Sequence, residues 1–137
     1  MPLITINITE GMIEESIDHL QKTIHACFVR AWGIPENGGF YVINEYKKSR
    51  MRINRSMWGI QRSDQPPLLL QITSSPRSKE LKLELFRVLA EELEKQGVRK
   101  EDLFISISPT QREDWSFGNG EAQLLQEEAN SSAAGDL

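Results

Sequence analysis

The sequence holds a single cysteine, Cys27, among 137 residues. An intrachain disulfide and any multi-cysteine metal site are thereby excluded, and cysteine usage fits a reducing compartment. There are two histidines, His19 and His25. Six residues apart on a helix they point about 240° from one another, so they cannot share a metal ion. Positive charge is in deficit: 16 Lys and Arg stand against 20 Asp and Glu, a net charge of -4. Bulk nucleic-acid binding normally shows as a basic excess and is not expected. No apolar run approaches the roughly 20 residues that cross a bilayer. The opening Met-Pro-Leu-Ile-Thr-Ile-Asn-Ile-Thr-Glu lacks the basic start and apolar stretch of a secretory signal. A cytoplasmic protein with no membrane and no nucleic-acid partner is the expectation.

What is present is ordinary for a globular chain: 39% hydrophobic and 26% charged residues. The length suits one compact domain, and chains of this size bury about two thirds of their unfolded surface. Charge is uneven. Between Glu45 and Arg62 lie Lys47, Lys48, Arg50, Arg52, Arg55 and Arg62, a local net charge of +5. Such a run reads first as a solvated loop or ribbon, and second as a field attracting a small carboxylate or phosphate.

The chain repeats itself at a period of about 65 residues, too long for a solenoid unit. Ile4, Ile6 and Ile8 alternate as on a half-buried strand. Ile13, Ile17, Leu20, Ile24 and Phe28 then form the apolar stripe of a helix, with Glu14, Glu15, Asp18 and Lys22 outside it. Thr9 or a neighbour is a candidate cap, and Gly33 and Pro35 end the helix. Phe40 to Tyr46 is rich in β-formers. In the second half, 67–73 reads as a strand. Pro76 and Ser78 open a helix with Leu81, Leu85, Val88, Leu89 and Leu93 inside. Gly97 stops it, and 103–108 is the closing strand. Both halves begin Pro-Leu, and both helices end at Gly followed by Ile or Val.

Two β-α-β units, 2–46 and 67–108, predict an α/β two-layer fold: a four-stranded, mainly parallel sheet with both helices on one face. The other face then needs cover, which a small two-layer protein often finds in an oligomer. Residues 47–63 are expected to form a hairpin or ribbon at a subunit edge, from which Arg52 and Arg55 could reach a neighbouring site. Residues 1–125 are expected to be a single domain, and the polar stretch 126–137 a disordered tail.

The initiator Met before Pro2-Leu3-Ile4, the duplicated β-α-β unit and the length resemble the tautomerase superfamily. More closely, Ala31-Trp-Gly-Ile-Pro35, Ser75-Pro-Arg-Ser78 and Asp114-Trp-Ser-Phe-Gly-Asn-Gly120 resemble its malonate semialdehyde decarboxylase-like group. The similarity spans residues 2–125. It implies a tautomerase-like fold, a homotrimer and a catalytic proline at the mature N-terminus, here Pro2. Arg77 matches an arginine that binds the substrate carboxylate, and Trp115 and Phe117 match the hydrophobic wall of the pocket. Two familiar helpers do not match. An acid falls at Gly38, with Glu36 and Asn37 nearby, and a first arginine falls at Ser75.

An N-terminal proline, once Met1 is removed, carries a secondary amine, the only residue type that does. An α-amino group ordinarily titrates near 8, and nearby cations or an apolar pocket lower that value. It can take a proton from a carbon beside a carbonyl and return it elsewhere, which is keto–enol tautomerisation. It can also attack an aldehyde to form an iminium, an electron sink for decarboxylation. Neither route calls for a metal or organic cofactor. The leading expectation is a tautomerase acting on a small 2-oxo acid. The alternatives are a decarboxylase or hydratase, and a non-catalytic trimeric binding protein that kept the fold. His19 and His25 are expected to be solvent-facing or half-buried helix residues, and Cys27 to be core packing.

Overall fold

The computed structural model describes residues 2–127 and 129. Strand β1 spans Leu3–Thr9 and helix α1 Glu14–Trp32; β2 is Phe40–Tyr46, β3 Leu68–Ser74, α2 Lys79–Glu94 and β4 Leu103–Pro109. The sheet order is β2-β1-β3-β4. β1 with β2 and β3 with β4 are parallel, as each β-α-β unit requires, and the units meet through the antiparallel pair β1 and β3. The duplication therefore appears as two similar halves joined head to tail at the centre of a mixed sheet.

Alternation builds the core. Ile4, Ile6, Ile8, Leu68, Leu70 and Ile72 are buried beneath Leu20, Ile24 and Phe28 of α1 and Leu85, Val88, Leu89 and Leu93 of α2. Gly33 takes the left-handed conformation (φ 67°) and its N–H closes on the Val29 carbonyl, which ends α1. The Ser78 hydroxyl accepts the Leu81 N–H and caps α2. Three details differ from the sequence pattern. Ile13 occupies the N-cap position of α1, where no side chain caps, so it lies outside the stripe and is 64% exposed. Thr9 is the last residue of β1 and does not cap. Leu81, in the first turn of α2, is partly exposed.

Residues 47–66 form no hairpin. Asn54 Oδ1 takes the N–H groups of Ser56 and Met57, at 3.0 and 2.7 Å, which diverts the backbone into a turn. The loop is tied by its own arginines: Arg62 Nε donates to the Asn54 carbonyl and Arg55 Nη2 to Ser63 O and Asp64 Oδ1. Ser63 bonds the buried Asp102 through both its N–H and its hydroxyl, which fastens the loop beside β4. Of the expected tail, Gln126, Glu127 and Ala129 are helical and the rest lies outside the described residues. Among the described residues no helix is long and apolar enough to cross a membrane.

The second face of the sheet is turned away from α1 and α2. Leu3, Thr5 and Asn7 lie there beside Phe40, Val42 and Asn44 of β2. Its centre is polar: Asn7 Nδ2 donates to Leu69 O and Gln71 Oε1, while its Oδ1 accepts from Asn44 and from the Tyr46 hydroxyl. Buried Asn7 thus has partners on both neighbouring strands and locks their register.

Candidate active site

Pro2 sits at the start of β1, between the start of β2 and the end of β3. Its ring is fully buried, and its carbonyl accepts the Phe40 N–H at 3.3 Å. At this end of the sheet, on the open face, a cleft of about 490 Å3 has Leu3, Phe40 and Thr73 as its floor and Thr110, Asp114, Trp115 and Phe117 as its wall.

The wall is an aromatic arch. Phe40 stacks on Phe117 with centroids 5.5 Å apart, and Phe117 stacks on Trp115 at 5.6 Å. Local structure holds each piece. The Trp115 indole N–H donates to Thr110 Oγ1 at 2.7 Å, and the Thr110 N–H donates to Ser74 O, so the arch is fixed to β3. Asp114 Oδ2 accepts the Gln111 N–H and closes the 112–114 turn. Gln123 accepts the Phe117 N–H and donates to Gly118 O, folding the chain back. Gly118, Asn119 and Gly120 all have positive φ, which explains why the stretch after Phe117 reads Gly-Asn-Gly.

Arg77 stands beyond the end of β3. Its Nη1 donates to Ser75 Oγ at 2.7 Å and, more weakly, to Ser75 O, and its guanidinium carbon lies 4.9 Å from the Trp32 ring centroid. Burial lowers its pKa from the usual arginine value, a cost set by desolvation of the cation. No salt bridge to a carboxylate is made by Arg77 among the described residues, whereas Arg30, Arg55, Arg87 and Arg99 all have one. The Trp32 indole N–H donates to Leu81 O, so the ring under Arg77 also ties α1 to α2.

Trp115 and Phe117 thus meet in one cleft. Pro2 and Arg77 lie at the same end of the sheet but do not line it. Sequence patterns missed Phe40, the foot of the arch, because its place depends on pairing with Leu3 across 37 residues. They also missed Trp32 and the contact of Ser75 with Arg77. His25 is tied on both sides: Nδ1 to the Tyr41 hydroxyl at 2.5 Å and Nε2 to Glu36 O at 2.6 Å. Glu36, Asn37 and Gly38 line a separate pocket beside His25 and Tyr41. Cys27 is buried, as core packing requires. No cluster of three or more His, Cys, Asp or Glu able to hold a metal occurs among the described residues.

A family model for tautomerase enzymes matches residues 38–118, more than half of the chain. The probable tautomerase YusQ of Bacillus subtilis (strain 168) is 35% identical over 127 residues, which cover 92% of this chain and all of YusQ. Among solved structures, malonate semialdehyde decarboxylase aligns with a TM-score of 0.84 and 28% identity, covering 92% of this chain and 98% of its own; its structures are described as a basis for decarboxylase and hydratase activities. A fused 4-OT wild-type symmetric trimer shares the fold at a TM-score of 0.72 and 20% identity, over 90% and 98% of the two chains. With the four-stranded mixed sheet, the two helices on one face and these matches together, the chain belongs to the tautomerase family of enzymes.

Proposed function

We propose that this enzyme tautomerises a small 2-oxo acid, such as a phenylpyruvate-like compound, with the Pro2 amine as acid/base once Met1 is removed. Arg77 holds the substrate carboxylate, and Trp115 and Phe117 give an apolar wall for the rest of the molecule. The observation that carries this reading is the gathering, at one end of the sheet, of buried Pro2, an aromatic cleft and a guanidinium with no acidic partner among the described residues. A positioned amine moving one proton contributes about 10²–10⁴ in rate. We further propose a homotrimer in the cytoplasm, in keeping with the uncovered sheet face and the trimeric relative.

The test is a ketonisation assay on the enol of a 2-oxo acid. Pro2→Ala lowers kcat at least about 10²-fold, and Arg77→Ala acts mainly on KM. Turnover unchanged in Pro2→Ala contradicts the reading. A second reading, decarboxylation of malonate semialdehyde or a related hydration, is favoured by the likeness to the decarboxylase at 28% identity. CO2 release from malonate semialdehyde at an enzyme-like rate selects it. Met1 retained in the purified protein selects the non-catalytic binding protein instead.

A further inference from the structure

We propose that Trp32 and Ser75 are positioning residues that hold the Arg77 guanidinium with one edge open to a substrate carboxylate. This rests on the reading above that Arg77 takes the substrate carboxylate.

A guanidinium carries five N–H donors in a rigid plane. Here both hydrogen bonds of Arg77 run through Nη1, to Ser75 Oγ and Ser75 O. The guanidinium carbon lies over the Trp32 ring, 4.9 Å from its centroid. The edge formed by Nε and Nη2 is left outside these contacts. That edge can meet a carboxylate through two parallel hydrogen bonds. The platform beneath it is stiff. The Trp32 ring is pinned by its bond to Leu81 O and packs edge-on against the fully buried Phe28 at 5.1 Å. Ser75 fixes the remaining corner, so the guanidinium keeps its orientation before any ligand arrives. Preorganisation of this kind lowers the ordering cost of binding.

The experiment uses the full chain with 15N-labelled arginine and follows the Arg77 Nε resonance. The probe is 2-oxopentanoate, a five-carbon 2-oxo acid, whose binding is expected to shift the resonance. Ser75→Ala and Trp32→Leu are each expected to weaken this binding about fivefold, with Trp32→Phe retaining most of the affinity because it keeps a ring under the cation. In turnover the same variants raise KM and leave kcat within about twofold. Wild-type affinity in Ser75→Ala and Trp32→Leu overturns the positioning role, while a ligand-induced Arg77 shift in those variants leaves the carboxylate role of Arg77 intact. Absence of any Arg77 shift in the wild type overturns both roles. Because binding is read directly, a failure of Pro2 chemistry is distinguishable from a failure of the clamp. Ser75→Ala removes one hydroxyl and tests the idea even where Trp32→Leu disturbs packing.

Discussion

Cys27 shows what burial does to one side chain. Its thiol lies between the helices, and loss of hydration, reinforced by Glu92, pushes its pKa up to about 11 from an ordinary 9.0. Tyr41 is raised for the same first cause. Below about pH 9 the thiol is protonated in both folded and unfolded chains. Between pH 9 and 11 the unfolded chain releases the proton while the folded one keeps it, so stability falls as pH rises through that window. The urea midpoint of the wild type is expected to drop more steeply between those limits than that of Cys27→Ala. Parallel pH dependences for the two proteins would contradict the assignment. Burial of Cys27 was legible in the sequence because it lies beside an apolar stripe. The bonds of His25 were not, since its partners Tyr41 and Glu36 come from a strand and a loop whose approach only the fold decides. The same holds for Trp32, whose acceptor Leu81 is 49 residues away.

Among the elements, periodicity placed all four strands and both helices, because each buries one face against the other layer. Their ends were legible where backbone chemistry sets them. Gly33 has positive φ and open space around a would-be Cβ, so Gly33→Ala is expected to cost about 1 kcal/mol through conformation alone. Ser78→Ala removes the α2 cap and is expected to cost a similar amount, about 1 kcal/mol. Both are read from equilibrium denaturation midpoints. An unchanged midpoint in either would contradict the cap it removes. The 47–66 loop escaped sequence reading because side-chain bonds from Asn54, Arg55 and Arg62 decide its path, and these have no period. Its Trp58, 90% exposed with φ 62°, is held outward by that framework.

In the whole molecule, Phe40, Val42, Tyr46 and Phe104 are exposed on the sheet face opposite α1 and α2. A proposed homotrimer covers this face. Val42→Glu, a charge in its apolar part, is expected to lower the mass seen in sedimentation velocity towards a single chain; an unaltered trimer would contradict that use of the face. The duplication that generates the sheet was legible as a repeat of Pro-Leu starts and Gly-ended helices. The antiparallel junction of the two halves was not, since the strand patterns show which face is buried but not which strands pair or in which direction. The proposed chemistry draws on this geometry at one point, the start of β1, where Pro2 is buried and its carbonyl accepts the Phe40 N–H. The most direct test of the account is a pH titration of the purified, 15N-proline-labelled protein by NMR, paired with its intact mass. The account predicts a chain lacking Met1 and a titrating secondary amine at Pro2 whose midpoint reappears in the pH–rate profile. A chain that retains Met1, with Pro2 a non-titrating amide, would contradict it.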